Sequence, residues 1–322
     1  MNEAEPIAID TVKLAHSSAF VDTFCSGELT EQAQKAIGFP WSPEFVHRTR
    51  VITGATLAAT KHALLHPGGV AGNLAGGTHH AFADRGEGYC IFNDLAVAAQ
   101  WALHAGQAKH VAVVDLDVHQ GNGTASMLEH VAGTSTLSVH ADKNYPWKTR
   151  HPSDVDVAVP DSVTAQGYLQ AVRSGLQQLE THWETAGLGC PDLVLFQAGV
   201  DPLKHDRLGR LKLTRSDLHD RNECVYEWIS ELETQHGVNR IPLVVTMGGG
   251  YSVPIEHSAR AHVDVFSQAA ELHFRRLAHI TEAVPKGLSN AQHWAQLCKT
   301  MEEDSKLVAA ANYAVACLHS SL

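Results

Sequence analysis

Four short apolar runs punctuate the chain: HVAVVDL (110–116), STLSVH (135–140), DLVLFQA (192–198) and PLVVTM (242–247). Each is too short for an ordinary helix, and most are rich in β-branched residues, which predicts buried strands. A weaker, glycine-rich run, GVAGNLAGG (69–77), predicts a fifth. Between these runs, residues 93–105, 164–183 and 214–235 follow helical periodicity, and they open on Asn93, Thr164 and Thr214, side chains that cap helix N-termini. Strand, helix, strand with near-continuous apolar strands is the pattern of a parallel sheet covered on both faces. The expectation is a single α/β domain over residues 1–274, mainly a parallel sheet flanked by helices. From about residue 275 no strand signal remains, and a helical C-terminal extension (275–322) is expected, broken near Pro285 and Gly287.

Each of these strands gives way to polar or glycine-rich sequence at its carboxyl end. Asp117 and His119 come after the first run, His140 after the second, Asp201 after the third, and Gly248, Gly249, Gly250 and Tyr251 after the fourth; the glycine-rich run ends in Thr78, His79 and His80. Ligands bind open parallel sheets at the carboxyl ends of the strands, so these residues are expected to meet in one site.

Asp117 and His119 are two apart on leaving a strand, which lets both side chains project the same way. With Asp201 they offer one nitrogen and two carboxylates, a three-ligand set that leaves a tetrahedral divalent cation an open position for water or substrate. The plainer reading of Asp-x-His alone is a capping aspartate beside a satisfied histidine. His79 and His80 come after Gly76 and Gly77, where backbone approaches a ligand closely, and imidazole is the usual acid or base near neutral pH. Asp115 and Asn122 are placed to orient the two rings. Tyr251 reads either as a structural tyrosine at a junction or as a donor to a carbonyl oxygen becoming an oxyanion.

Composition narrows the class. The 322 residues are 44% apolar and carry a formal charge of -11 without any Lys/Arg block, which argues against nucleic acid as a partner. No stretch approaches the roughly 20 apolar residues of a membrane-spanning helix. The six cysteines are scattered without a C-x-x-C pair, and MNEAEPIAID is not a signal peptide, so a reduced, intracellular setting is expected, cytoplasmic or, in a eukaryotic cell, nuclear.

The segments GGTHH, DRGEGYCIFND, DLDVHQGNG, QAGVDPLKHDRLGRLKLT and GGGY occur in the order found in the zinc-dependent histone deacetylase family, which the chain resembles over roughly residues 10–270. The details DRGEGYC, HQGNG and DRLG look most like the class IV branch and its bacterial relatives. The resemblance implies zinc on Asp117, His119 and Asp201. It implies His80 as the principal general base and then acid, and His79 as its electrostatic helper. Asp115 would contact His79, Asn122 would contact His80, and Tyr251 would polarise the acyl carbonyl. It further implies a structural potassium ion on Asp115, Asp117, His119, Ser138 and Val139, and a substrate tunnel walled by Tyr89, Tyr145, Gly88 and Gly249. The implied reaction is hydrolysis of an acyl-lysine amide in a protein or peptide, or of a small acyl-amine. Longer chains than acetyl are an expectation from the class IV likeness. Family domains usually begin with a further strand and helix, about 30 residues by ordinary element lengths, which this chain is expected to lack, leaving an unprotected sheet edge.

Three other readings compete. A ureohydrolase with two manganese ions needs further carboxylates where this chain has Gly121 and Leu203. An acetylpolyamine amidohydrolase differs only in its rim loops. A non-catalytic acyl-lysine binder would have little use for the full set of ligands, both histidines and Tyr251.

Overall fold

The structure is a computed structural model that describes residues 3–66 and 69–280; the extension expected over residues 281–322 lies outside them. Six strands, β1 (Val70–Asn73), β2 (Val111–Asp115), β3 (Thr134–Ala141), β4 (Val155–Val159), β5 (Leu193–Gln197) and β6 (Leu243–Thr246), form one sheet in the order β1-β6-β5-β2-β3-β4. Every pairing is parallel, so all carboxyl ends face the same way. The helices are α1 (Ile9–Val12), α2 (Ser18–Ser26), α3 (Glu31–Ile37), α4 (Pro43–Leu65), α5 (Asp94–His104), α6 (Asn122–Leu128), α7 (Ala165–Ala186), α8 (Arg215–His236) and α9 (Glu256–Ile280). None of the described helices is long and apolar enough to cross a membrane.

The central strands bury both faces, which is why they read as unbroken apolar runs. Alternation divides their side chains: Ala112, Val114, Val194 and Phe196 join the core against α7, α8 and α9, whereas Val111, Val113, Leu193 and Leu195 join the core against α4 and α5. A third cluster, with Phe20, Phe24, Ile37, Phe39 and Phe92, ties α2 and α3 to the segment after β1.

The expected helices form behind their caps. Asn93 accepts from the Ala96 N–H and Thr164 from the Gly167 N–H, and Thr214 closes a reciprocal capping box with Asp217. Two elements have little sequence signal. The edge strand β4, VDVAV, has only three valines in alternation and one neighbour, β3. Helix α4 buries mainly Thr49, Thr53, Gly54, Thr56, Ala59, Thr60 and Ala63, small or hydroxyl-bearing residues that give little apolar contrast. At the other edge, β1 pairs only with β6 among the described strands, and Gly72 is exposed. Helix α9 runs without a break across residues 274 and 275.

Candidate active site

The segment after β2 is a staircase of carboxylates that accept from the backbone two residues on. The Asp117 N–H donates to Asp115 Oδ1 (3.1 Å) and the His119 N–H to Asp117 Oδ1 (3.0 Å), the local bond that aspartate makes most readily. The ends of β5 and β6 lock onto it. The Val118 N–H donates to Asp201 Oδ1 (2.9 Å) and the Gly249 N–H to Asp117 Oδ2 (2.7 Å). These contacts leave no room for side chains: a Cβ at Gly199 would stand 2.2 Å from Asp117 Oδ2, and one at Gly249 2.1 Å from Asp201 Oδ2.

Asp117, His119 and Asp201 are all buried, with ligand atoms within 4.8 Å of one another. His119 Nδ1 lies 3.0 Å from both Asp117 Oδ1 and Asp201 Oδ2. Asp201 Oδ2 is buried without a hydrogen bond. Burial, then the charge of Asp117, pushes the Asp201 carboxyl up to about 7. For His119 burial works downward, but the close approach of the Asp117 and Asp201 carboxylates outweighs it and raises the ring to about 10. A buried carboxylate pair with an orphaned oxygen is costly unless a cation joins it, so the donor set fits a divalent metal. Among the described residues no other group of three His, Cys, Asp or Glu side chains is so arranged.

The histidine pair reaches the same place from the end of β1. Asp94, at the start of α5, accepts from the N–H groups of Gly77 and Thr78 and so pins the turn. The two rings lie 4.0 Å apart with different partners: His79 Nδ1 meets Asp115 Oδ2 at 2.7 Å, and His80 Nδ1 meets Asn122 Oδ1 at 2.7 Å. Burial lowers both, but the charges of Asp115 and Asp117 bring His79 up to about 9. His80 stays well below the usual range through burial and the positive neighbours His79 and His119. Environments that push two neighbouring titrating groups apart are the signature of an acid and base assignment.

Tyr251 stands three residues after Gly248, whose φ of +68° suits glycine. Its N–H donates to Asp206 Oδ2 (2.5 Å), and burial holds its hydroxyl well above the usual range, so it remains a donor. Asp117 and His119 of the candidate metal group, both histidines of the pair and Tyr251 line one cavity of about 680 Å³. All four residues expected in the tunnel, Gly88, Tyr89, Tyr145 and Gly249, line it too. Gly88 has a φ of +56°, and its missing Cβ would press within 2.9 Å of His80. The Tyr145 ring stands edge-on to His80 at 4.8 Å.

His140 is not brought in. It lies inside β3, buried, with Nδ1 3.0 Å from Ser138 Oγ, because the strand continues one residue further than its apolar run. Of the residues expected around potassium, Ser138 Oγ is engaged with His140 and both Asp115 oxygens accept hydrogen bonds, so nothing about these side chains singles out an alkali-metal site.

Two residues at the site are given no role by the sequence: Glu87, although it lies inside the DRGEGYC segment, and Arg221. Glu87 Oε1 accepts from Tyr145 Oη (2.5 Å) and from Asn122 Nδ2 (3.4 Å), and Asn122 Nδ2 also donates to Thr149 O (2.9 Å). Arg221 of α8 is fully buried and donates to the carbonyls of Leu116, Gly199 and Ala198, in the segments that carry Asp117 and Asp201. The one sequence signal for Arg221 is its place on the apolar face of α8, three residues after Leu218 and four before Val225, both buried.

The chain is 38% identical over 251 residues to an uncharacterized protein of Picosynechococcus sp., covering 78% of each. It is 28% identical over 270 residues to histone deacetylase 2 of Arabidopsis thaliana, covering 81% of this chain and 65% of that one. The crystal structure of an HDAC homolog from Aquifex aeolicus, 21% identical, has the same fold, with a TM-score of 0.66 over 92% of this chain and 76% of that one. Residues 1–266 match the family model described as the histone deacetylase domain, so a sheet whose strand ends gather two aspartates and three histidines is here the fold of a recognised family of hydrolases: the chain belongs to the histone deacetylase domain family.

Proposed function

We propose that this protein hydrolyses the amide of an acylated lysine or a similar acyl-amine, with zinc as its metal. The observation that carries the reading is the orphaned Asp201 Oδ2, packed behind Asp117 and His119, which line a cavity together with His79, His80 and Tyr251. Zinc held by Asp117, His119 and Asp201 supplies, when bound, Lewis-acid polarisation of the acyl carbonyl and acidification of water.

The chain's own groups divide the rest of the work. The Asn122 amide nitrogen donates to Thr149 O, which turns its oxygen toward His80 and makes His80 Nδ1 the protonated nitrogen. His80 Nε2 is then the free base, held neutral by its surroundings. It takes a proton from the attacking water and returns it to the departing amine. His79, against whose burial the carboxylates of Asp115 and Asp117 act, is drawn toward its protonated form and adds positive charge beside the base. The Tyr251 hydroxyl donates to the acyl oxygen as negative charge grows on it. Apolar groups of Ile37, Phe39, Phe45, Ile52 and Phe92 line the same cavity, whose size supports acyl chains longer than acetyl.

The test is hydrolysis of acetyl-, octanoyl- and myristoyl-lysine peptides by zinc-loaded protein, beside Tyr251→Phe. Turnover that Tyr251→Phe lowers is the expected result. Absence of turnover with every peptide, despite bound zinc, would leave a binder rather than a hydrolase. A clear preference for acetyl refutes the longer-chain reading.

A further inference from the structure

The protein as a whole is acidic, at -11, yet the lining of its cavity is not. The charged side chains lining the cavity, apart from the histidines, are Lys35, Arg48, Arg207, Arg210 and the metal ligand Asp117. No other acid among the described residues lines it. The two loops that reach the opening are biased in the same sense: residues 142–150 carry three Lys/Arg against one Asp, and residues 204–212 four against one. The single acid of the second loop, Asp206, is already taken by the N–H groups of Leu208, Gly209 and Tyr251.

Two of these cations are paired. Lys35 lies 3.8 Å from Glu31, and Arg210 lies 3.5 Å from Asp161. Arg48 and Arg207 have no ion pair among the described residues. Arg207 is exposed, whereas Arg48 is half-buried on α4, beside Phe45, Thr49 and Ile52 of the cavity wall. Its guanidinium carbon stands 5.9 Å from the centre of the Phe39 ring. A guanidinium partly withdrawn from water, held against an aromatic wall without a carboxylate, is a vacant half of a bidentate pair.

We infer that the opening selects acyl-amine substrates carrying a carboxylate close to the scissile amide, with Arg48 as the principal recognition cation and Arg207 as the second. The inference rests on the amidohydrolase reading above and adds the substrate class. Polycationic substrates, such as lysine- and arginine-rich tails or acylated polyamines, meet like charge here and are disfavoured. The carboxylate has two sources: an Asp or Glu flanking the acyl-lysine in a peptide, or the α-carboxylate of a free acyl-amino acid.

The experiment uses the full zinc-loaded chain and acetyl-lysine peptides flanked by Asp, Gln or Arg, together with free Nε-acetyl-lysine and its α-amide. Both kcat/KM and, with dye-labelled peptides, affinity by fluorescence anisotropy are measured. The Asp-flanked peptide is expected to exceed the Arg-flanked one by about tenfold or more at ~0.05 M salt, with the ratio shrinking several-fold at ~0.5 M as screening sets in. Arg48→Gln is expected to bring the ratio below about threefold, with Arg48→Lys keeping part of it as a point charge. Preference for free acetyl-lysine over its amide identifies the α-carboxylate as the source; preference confined to the peptides identifies the flanking acid. An equal or inverted ratio in the wild type overturns the inference, as does a ratio that survives Arg48→Gln combined with Arg207→Gln. Acid-selective binding without hydrolysis rejects the proposed reaction and upholds the selectivity, while hydrolysis without selectivity does the reverse.

Discussion

Replacing Arg221 by methionine is the sharpest test of how the metal ligands are held. The guanidinium reaches Gly199 O at 2.5 Å, Leu116 O at 3.2 Å and Ala198 O at 3.4 Å, and also braces Asn222 Oδ1 at 2.8 Å. The three carbonyls belong to the segments that deliver Asp117 and Asp201. Methionine fills similar space but donates nothing, so the three carbonyls and Asn222 Oδ1 all lose this donor inside the core. Each orphaned buried acceptor costs about 1–3 kcal/mol, offset in part because a buried charge is also removed, which leaves a net loss of about 3–5 kcal/mol. For a domain of this size that corresponds to a Tm lower by about 6–20 °C. Urea unfolding followed by circular dichroism reads the free energy, and isothermal titration reads zinc affinity, expected to fall about 10–100-fold as the ligands lose their support. Arg221→Lys should recover less than half of the stability, because one ammonium cannot span the three carbonyls. Substituting the exposed Arg173 of α7 by methionine is the control, expected within about 0.5 kcal/mol. An Arg221→Met protein within about 1 kcal/mol of wild type, with unaltered zinc affinity, refutes the reasoning.

Stripping the metal with a chelator should lower Tm, and zinc at about a hundred times its Kd should restore about 2.7 kcal/mol; a shift of the same size in Asp201→Ala removes the metal assignment. Tyr251→Phe is expected to lower kcat by about 10²–10³ with little change in KM, measured on an acyl-lysine peptide; an equal loss through KM alone points to binding instead. Asn122→Ala removes the acceptor that fixes the His80 tautomer and should cost about 10–100-fold in kcat; full activity would show that the ring is oriented by something else. Acid should destabilise the protein through His16 and His262, which burial lowers to about 4 and about 3 from an ordinary value of 6.5. His16 Nε2 accepts from the Asn93 N–H, a bond that protonation breaks. Because both folded values lie below the unfolded one, their contribution is complete above about pH 6.5 and is lost as pH falls toward the folded values. Between pH 6.5 and 5 the two together cost about 3 kcal/mol, and His262→Gln should remove about half of that slope in urea titrations at several pH values.

The strands that the sequence disclosed most clearly, β2, β5 and β6, are buried on both faces and are apolar up to a single polar residue at the carboxyl end. Edge strand β4 escapes notice because its Asp156 and Ala158 face outward, and α4 because threonine and alanine fill its inner side. The candidate site is legible where side chains meet other side chains, as with Asp117, His119, Asp201, His79 and His80. It is illegible where a side chain serves the backbone, as Arg221 does, and in the pairing of Glu87 with Tyr145, which no ligand spacing announces. His140 shows the opposite error, since a polar residue after an apolar run is not always past the strand's end.

Gly199 and Gly249 press their backbones against Asp117 and Asp201 with less space than a methyl group requires. Even alanine at either position collides with a carboxylate that has nowhere to retreat. Small inheritable changes are thereby barred from the innermost chamber, which is either kept whole or lost in one step. Descendants of this chain therefore have freedom to diversify only at the periphery, and any new preference among them should be sought in the outer loops.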